Sequence, residues 1–216
     1  MDYSDESYKF IGNLSSVFTK NIYWRLKNKV VLDLGCGSGV YLKQFSKKSV
    51  GIDVSPQNIV SAGNLGHKVL QMDLNAPINL DEKFDAVFSS HVIEHVESPI
   101  EYLRYAYSQL QDGGIFVLSI PNEDGLIHLR YPYFTGDGNH LHAFSIDNMQ
   151  ELLACTGFKQ IECLHDVQTV LTRKLKIGLL LEIAIKFSPK FIKKKLAWSF
   201  WFVAMKSNSD SQTSCV

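Results

Sequence analysis

The sequence has no run of about 18 apolar residues that could span a bilayer, and no charged segment leading into a short apolar stretch at its start. The first absence argues against a spanning helix and the second against a secretory leader, so the cytoplasm is the expected compartment. Cysteine is scarce: Cys36, Cys155, Cys163 and Cys215 are scattered without a CxxC pair. That spacing suggests neither a thiolate metal site nor a disulfide framework, and reduced, buried thiols are expected. There is no internal repeat and no low-complexity tract. Net charge is also absent, with 22 basic and 22 acidic residues.

The remaining composition, 45% apolar and 20% charged, is that of a globular protein, and 216 residues suffice for one domain with a sizeable core. The balanced charge is unevenly spread. Nine basic residues lie between Arg173 and Lys206 against the single acid Glu182, a local excess of +8 that the rest of the chain cancels. Such an asymmetry suggests a surface role for this region.

From Val30 onward, short apolar runs alternate with segments of helical period. This is the pattern of β-α-β units and a mainly parallel sheet. Strands are expected at 30–35, 49–54, 68–73, 84–90 and 115–121, then at 158–164 and 198–206. Ser55-Pro56, Ser98-Pro99 and Ser145 are helix starts, while Gly113-Gly114 and Gly157 are stops.

The segment VVLDLGCGSG sets Asp33 at the end of the first strand and Gly35, Gly37 and Gly39 in a turn expected to enter a helix. Glycine suits a tight turn whose backbone must approach a ligand. A dinucleotide fingerprint would want glycine at position 40, which is Val40, and an acid beside a pyrophosphate would repel it. Asp33 therefore favours a cationic ligand group over NAD. Asp53 ends the second strand, where a carboxylate can accept ribose hydroxyls, and Asp73 ends the third, where it can accept from an adenine amino group.

In this order and spacing the chain resembles the class I S-adenosylmethionine-dependent methyltransferases, in particular the small-molecule, ubiquinone-pathway O-methyltransferase group. The blocks FDAVFSSHVIEHVESP and IFVLSIPN resemble that family's fourth strand with its loop and its fifth strand. The resemblance implies a Rossmann-like α/β three-layer sandwich with a mainly parallel seven-stranded sheet whose last strand is antiparallel. It also implies S-adenosylmethionine as cofactor, bound by Asp33, Gly35, Gly37, Gly39, Asp53, Asp73, Leu74 and Ser90.

His91, His140 and His142 are the general-base candidates, since a neutral imidazole can take a hydroxyl proton near pH 7. His95 reads more simply as part of its loop's own packing. A metal site is the alternative for His91, Glu94 and His95, aided by His140 or His142. The resemblance implies it through the E-x-x-E-H block of some family members, but the loss of one carboxylate here weakens a magnesium site.

The expected organisation is an N-terminal helical lid (1–29), a methyltransferase domain (30–206) and a disordered tail (207–216). An amphipathic basic insertion at about 173–196 could meet anionic lipid, the domain itself or a second subunit as a homodimer. The expected reaction is methyl transfer, at oxygen, to a small-molecule, glycan or lipid-linked acceptor. Alternatives are a catalytically silent cofactor-binding partner protein and an RNA methyltransferase. Nucleic acid is disfavoured as a partner because no basic stripe is expected across the active edge.

Overall fold

A computed structural model describes residues 14–76, 78, 80–123, 125, 140–167 and 187–207. Its centre is one seven-stranded sheet: β1 (Val31–Leu34), β2 (Val50–Asp53), β3 (Lys68–Gln71), β4 (Phe84–Ser90), β5 (Leu110–Pro121), β6 (Phe158–Asp166) and β7 (Ser199–Lys206). The spatial order is β3-β2-β1-β4-β5-β7-β6. β7 runs antiparallel to both its neighbours, and the pairs from β3 to β5 are parallel.

Period-two alternation gives the sheet two apolar faces. Leu32, Leu34, Phe116, Leu118, Phe200 and Phe202 point to one face, where they meet α3 (Pro99–Gln109) through Leu103 and Ala106, and α4 (Ile146–Cys155) through Met149 and Leu153. Val31, Phe88, Val117, Trp201 and Val203 point to the other. There they meet Phe18 and Ile22 of a π-helical turn, Leu26 of the short helix α1 (Tyr23–Leu26), and Ala62 of α2 (Pro56–Gly63). The result is three layers, as expected. Phe88 is at the middle of the second face, with ring centroids 5.8, 4.9, 5.3 and 5.9 Å from Phe18, Tyr41, Phe45 and Trp201.

The helix starts behave differently from one another. The Ser145 hydroxyl accepts the Asn148 N–H at 3.1 Å, and Ser55 accepts that of Asn58 more weakly at 3.5 Å. The Ser98 hydroxyl makes no capping bond, so the fixed φ of Pro99 sets that start. Gly113-Gly114 does not stop α3. The helix ends at Gln109, Leu110 already pairs with Phe84, and Gly113 turns at φ +72° inside the first part of β5.

The turn after β1 leads only to a single 3₁₀ turn, Leu42–Gln44, rather than a full helix. Of the thiols, Cys36 is buried and Cys163 partly so, but Cys155 is exposed at the end of α4. No helix among the described residues is long and apolar enough to cross a membrane.

The expected lid divides. Tyr3, Tyr8 and Phe10 lie outside the described residues, while Phe18, Ile22 and Leu26 are wholly buried against the sheet. Ser15 donates its hydroxyl to Asp166 and Arg25 pairs with Glu162 at 2.6 Å, tying this segment to β6. The amphipathic stretch 173–186 and the tail 208–216 lie outside the described residues. The later part of the insertion forms α5 (Lys190–Leu196).

Phe88→Ala removes the ring on which four others close, and is expected to cost about 3–5 kcal/mol of unfolding free energy in urea denaturation. A loss under about 1 kcal/mol would show that this face is not close-packed.

Candidate cofactor and acceptor site

The strand order reverses between β1 and β4, and an open α/β sheet binds ligands at the carboxyl ends of its strands beside such a reversal. The glycine turn and the loop after β4 meet there. Gly35 and Cys36 both donate their N–H groups to Ile52 O, at 2.8 and 2.9 Å, which fastens the turn to β2. Gly35, Gly37 and Gly39 have φ of +72°, +53° and +85°, a region that disfavours side chains. A Cβ on Gly35 would also stand 2.4 Å from Val92 Cγ2, so the missing side chain admits the fourth-strand loop.

Asp53 is buried, and its carboxylate accepts from Gly37 N (2.8 Å), Ser55 N (2.9 Å) and Asn58 Nδ2 (3.0 Å). A carboxylate offers about four acceptor positions, so one remains for a ribose hydroxyl. Asp73 is exposed and caps its own turn by accepting from Asn75 N at 2.9 Å. The neighbouring Leu74 is half-buried. Asn75 in turn accepts the Glu97 N–H at 2.8 Å, joining the third-strand loop to the fourth.

Asp33 is unlike either of these acids. It is 2% exposed and its Oδ2 has no hydrogen-bond partner. Burial, and then the negative charge of Asp53, raise its carboxyl well above the ordinary range. A buried carboxyl with an open oxygen fits a cationic group such as an ammonium or sulfonium, which would restore its ionised form. The same burial and the same two acids push the Cys36 thiol up, so this cysteine stays protonated beside the turn and is no nucleophile.

Beyond β4, Ser90 Oγ lies 2.9 Å from Ser119 Oγ, linking the ends of β4 and β5. His91 follows with φ +56°, rare for a side-chain-bearing residue, and its N–H is held by Ser119 O at 3.1 Å. Glu94 is wholly buried, and neither of its carboxylate oxygens has a hydrogen-bond partner. His91 Nδ1 is 3.4 Å from Glu94 Oε1, close enough for an ion pair when the ring is charged but not aligned as a hydrogen bond.

The backbone carbonyl of Glu94 accepts from Leu141 N (2.8 Å) and His142 N (3.2 Å), which draws the loop after β5 onto the loop after β4. His140 thereby meets His95 edge-on, with centroids 4.8 Å apart, and its Nδ1 is 3.0 Å from Glu123 Oε1. His142 Nε2 donates to Val96 O at 3.0 Å, which gives that ring a packing role.

The structure thus gathers Glu94, His95 and His140 at one point, sets His91 beside Glu94 and turns His142 aside. Glu123 is the residue that sequence reasoning missed. It stands two residues past β5, within the same IPNE run whose strand was recognised.

The basic helix also belongs to this edge. Asn122, the first residue beyond β5, is 1% exposed and donates Nδ2 to Lys194 O (2.7 Å) and Ala197 O (2.9 Å). The backbone at the end of α5 is therefore fixed at the carboxyl edge.

Comparison with known proteins gives the family and the fold. The family described as "Methyltransferase domain" matches residues 8–163. A protein of Actinobacillus pleuropneumoniae serotype 3 named tRNA U34 carboxymethyltransferase is 30% identical over 169 residues, covering 70% of this chain and 52% of that protein. A Shewanella loihica protein of the same name is 40% identical over 113 residues, covering 46% of this chain and 34% of its own. The chain spans about half the length of the first of these relatives and less of the second.

Among solved structures, a Haloferax volcanii methyltransferase in complex with the activator Trm112 superposes with a TM-score of 0.67 at 16% identity, covering 94% of this chain and 95% of its own. An S-adenosylmethionine-dependent methyltransferase of Archaeoglobus fulgidus gives 0.64 at 20%, covering 92% and 94%. At such identities the superpositions speak for the fold.

One expectation changes. Nucleic acid cannot be set aside as a partner in favour of a small-molecule or lipid-linked acceptor, because these relatives are named for tRNA.

Asp33→Asn keeps the shape and removes the buried ionisable group, so two opposite effects are expected. Thermal stability at pH 7–8 should rise by about 1 kcal/mol, while S-adenosylmethionine affinity measured by calorimetry should fall about tenfold or more. In the wild type the raised folded pKa makes the free protein lose stability as pH climbs from the ordinary carboxyl range to that pKa. Cofactor binding should strengthen over the same window, because the ionised form is the one that binds. A variant with unchanged affinity would remove Asp33 from the site.

Proposed function

The chain belongs to the methyltransferase domain family, and from that premise we propose that it is an S-adenosylmethionine-dependent methyltransferase that methylates RNA, with transfer RNA as the acceptor class. The relatives' name carries the acceptor class, tRNA; the group they are named for transferring is carboxymethyl, and transfer of methyl by this chain rests on its family. The stand of α5, with Lys194 and Lys195, beside Asn122 at the ligand edge supports it, because phosphate contacts orient a nucleic acid over a site.

In this reading Asp33 faces the cationic part of the cofactor, Gly35, Gly37 and Gly39 admit its methionine portion, and Asp53 takes a ribose hydroxyl. Asp73 and the backbone of Leu74 take the adenine, and Ser90 lines the floor. The bound cofactor supplies an already activated methyl group, so the chain's task is alignment and, for an oxygen acceptor, proton removal. Of the three histidines, His91 best suits that task. Its Nδ1 turns toward Glu94, leaving Nε2 for the acceptor, whereas His142 Nε2 is committed to Val96 O and His140 groups with Glu94 and His95.

The test is transfer of tritium from methyl-labelled S-adenosylmethionine to bulk tRNA, with and without ribonuclease, beside lipid and small-metabolite extracts. Acid-precipitable, ribonuclease-sensitive label is expected. His91→Ala should lower its rate by about 100-fold, and Lys195→Glu should weaken tRNA binding and shallow its salt dependence by roughly one counterion. Label confined to the extracts would overturn the RNA reading while leaving the cofactor assignment intact.

A further inference from the structure

We propose that Glu94, His95 and His140 bind a divalent transition-metal ion of the zinc class on the acceptor side of the cofactor edge. One ligand atom from each of the three lies within 4.8 Å of the others. Ligands about 2.0–2.2 Å from a zinc ion stand roughly 3.4 Å apart, so small side-chain rotations close the set.

Glu94 is the residue that calls for a cation. A wholly buried carboxylate with no hydrogen bond to either oxygen is costly, and no arginine or lysine is recorded against it among the described residues. His140 carries the second sign. Its Nδ1 faces the Glu123 carboxylate at 3.0 Å, which leaves Nε2 for the cluster. A carboxylate behind the ring is the usual way a metal-binding histidine is oriented and made more basic.

Donor chemistry selects the ion. Two imidazoles and one carboxylate suit zinc, cobalt or nickel, whereas magnesium prefers an all-oxygen shell. Three protein ligands leave a position for water or for an oxygen or nitrogen of the incoming acceptor. His95 and His140 are both half-buried, so the position is reachable from the ligand edge. Of the set expected from sequence, Glu94, His95 and His140 come together, the last brought in by the backbone bonds from Leu141 and His142 to Glu94 O, while His91 adjoins the site through Glu94 Oε1.

Titration of the full-length chain with cobalt(II) tests the proposal without reference to any acceptor or activity. One equivalent should produce visible d–d absorption that zinc abolishes and magnesium does not. His140→Ala and Glu94→Gln should each weaken binding by about 100-fold, and Glu123→Gln by about 10-fold, while His142→Ala should leave it unchanged. Circular dichroism and S-adenosylmethionine binding verify folding. If the buried Glu94→Gln variant unfolds, His140→Ala still decides, because its ring is partly exposed. Absence of saturable one-to-one binding, or binding that survives His140→Ala, overturns the assignment.

Discussion

The carboxylate of Asp53 is the joint on which the ligand edge depends. One oxygen holds Gly37 in the glycine turn, while the other holds the backbone of Ser55 and the side chain of Asn58 at the start of α2. Three segments distant in sequence, the ends of β1 and β2 and the first turn of α2, therefore share one anion. Charge-assisted bonds of this kind are roughly twice as strong as neutral ones and fix direction as well as distance. The turn so anchored is left-handed at each of its glycines, and at Gly35 a Cβ would meet the Val92 side chain.

The other buried acids of this edge are held in a different way. Asp53 is satisfied by donors, while Asp33 and Glu94 are buried with oxygens that the protein itself does not pair. Folding has to tolerate both, and the large apolar sheet faces make that tolerable: Phe18, Phe88, Trp201, Phe116, Phe200 and Phe202 are all essentially excluded from water. Local destabilisation at a ligand edge, offset by packing elsewhere, is a common arrangement for binding sites.

Much of this was legible in the chain. Asp33, the three glycines and Asp53 were readable because strand ends and tight turns leave short-range marks: an apolar run that stops at an acid, then glycine at alternate positions. The strand assignments held to within a few residues for the same reason. What escaped was set by long-range contact. Gly113-Gly114 looks like a helix stop in isolation, but the pairing of Leu110 with Phe84 starts β5 earlier. The neighbourhood of Glu123 and His140, 17 residues apart, depends on backbone bonds between two loops that no periodicity encodes. The arrival of the basic helix at the ligand edge likewise followed from Asn122, a residue with no distinguishing pattern of its own.

The antiparallel β7 has one further consequence. Because it opposes its neighbours, Ser199 at its start lies level with Pro121 and Asp166, so the connection from β6 to β7 both leaves and returns at the ligand edge. A connection with that geometry can grow or shrink while the sheet keeps its register, since each doubling of a flexible loop adds only about 0.6 kcal/mol of closure entropy. The fold thereby separates two inheritances: an edge built of short, sterically exacting turns, and a connection whose length and charge are free to drift. Diversification of substrate within such a scaffold needs no change in the strands at all.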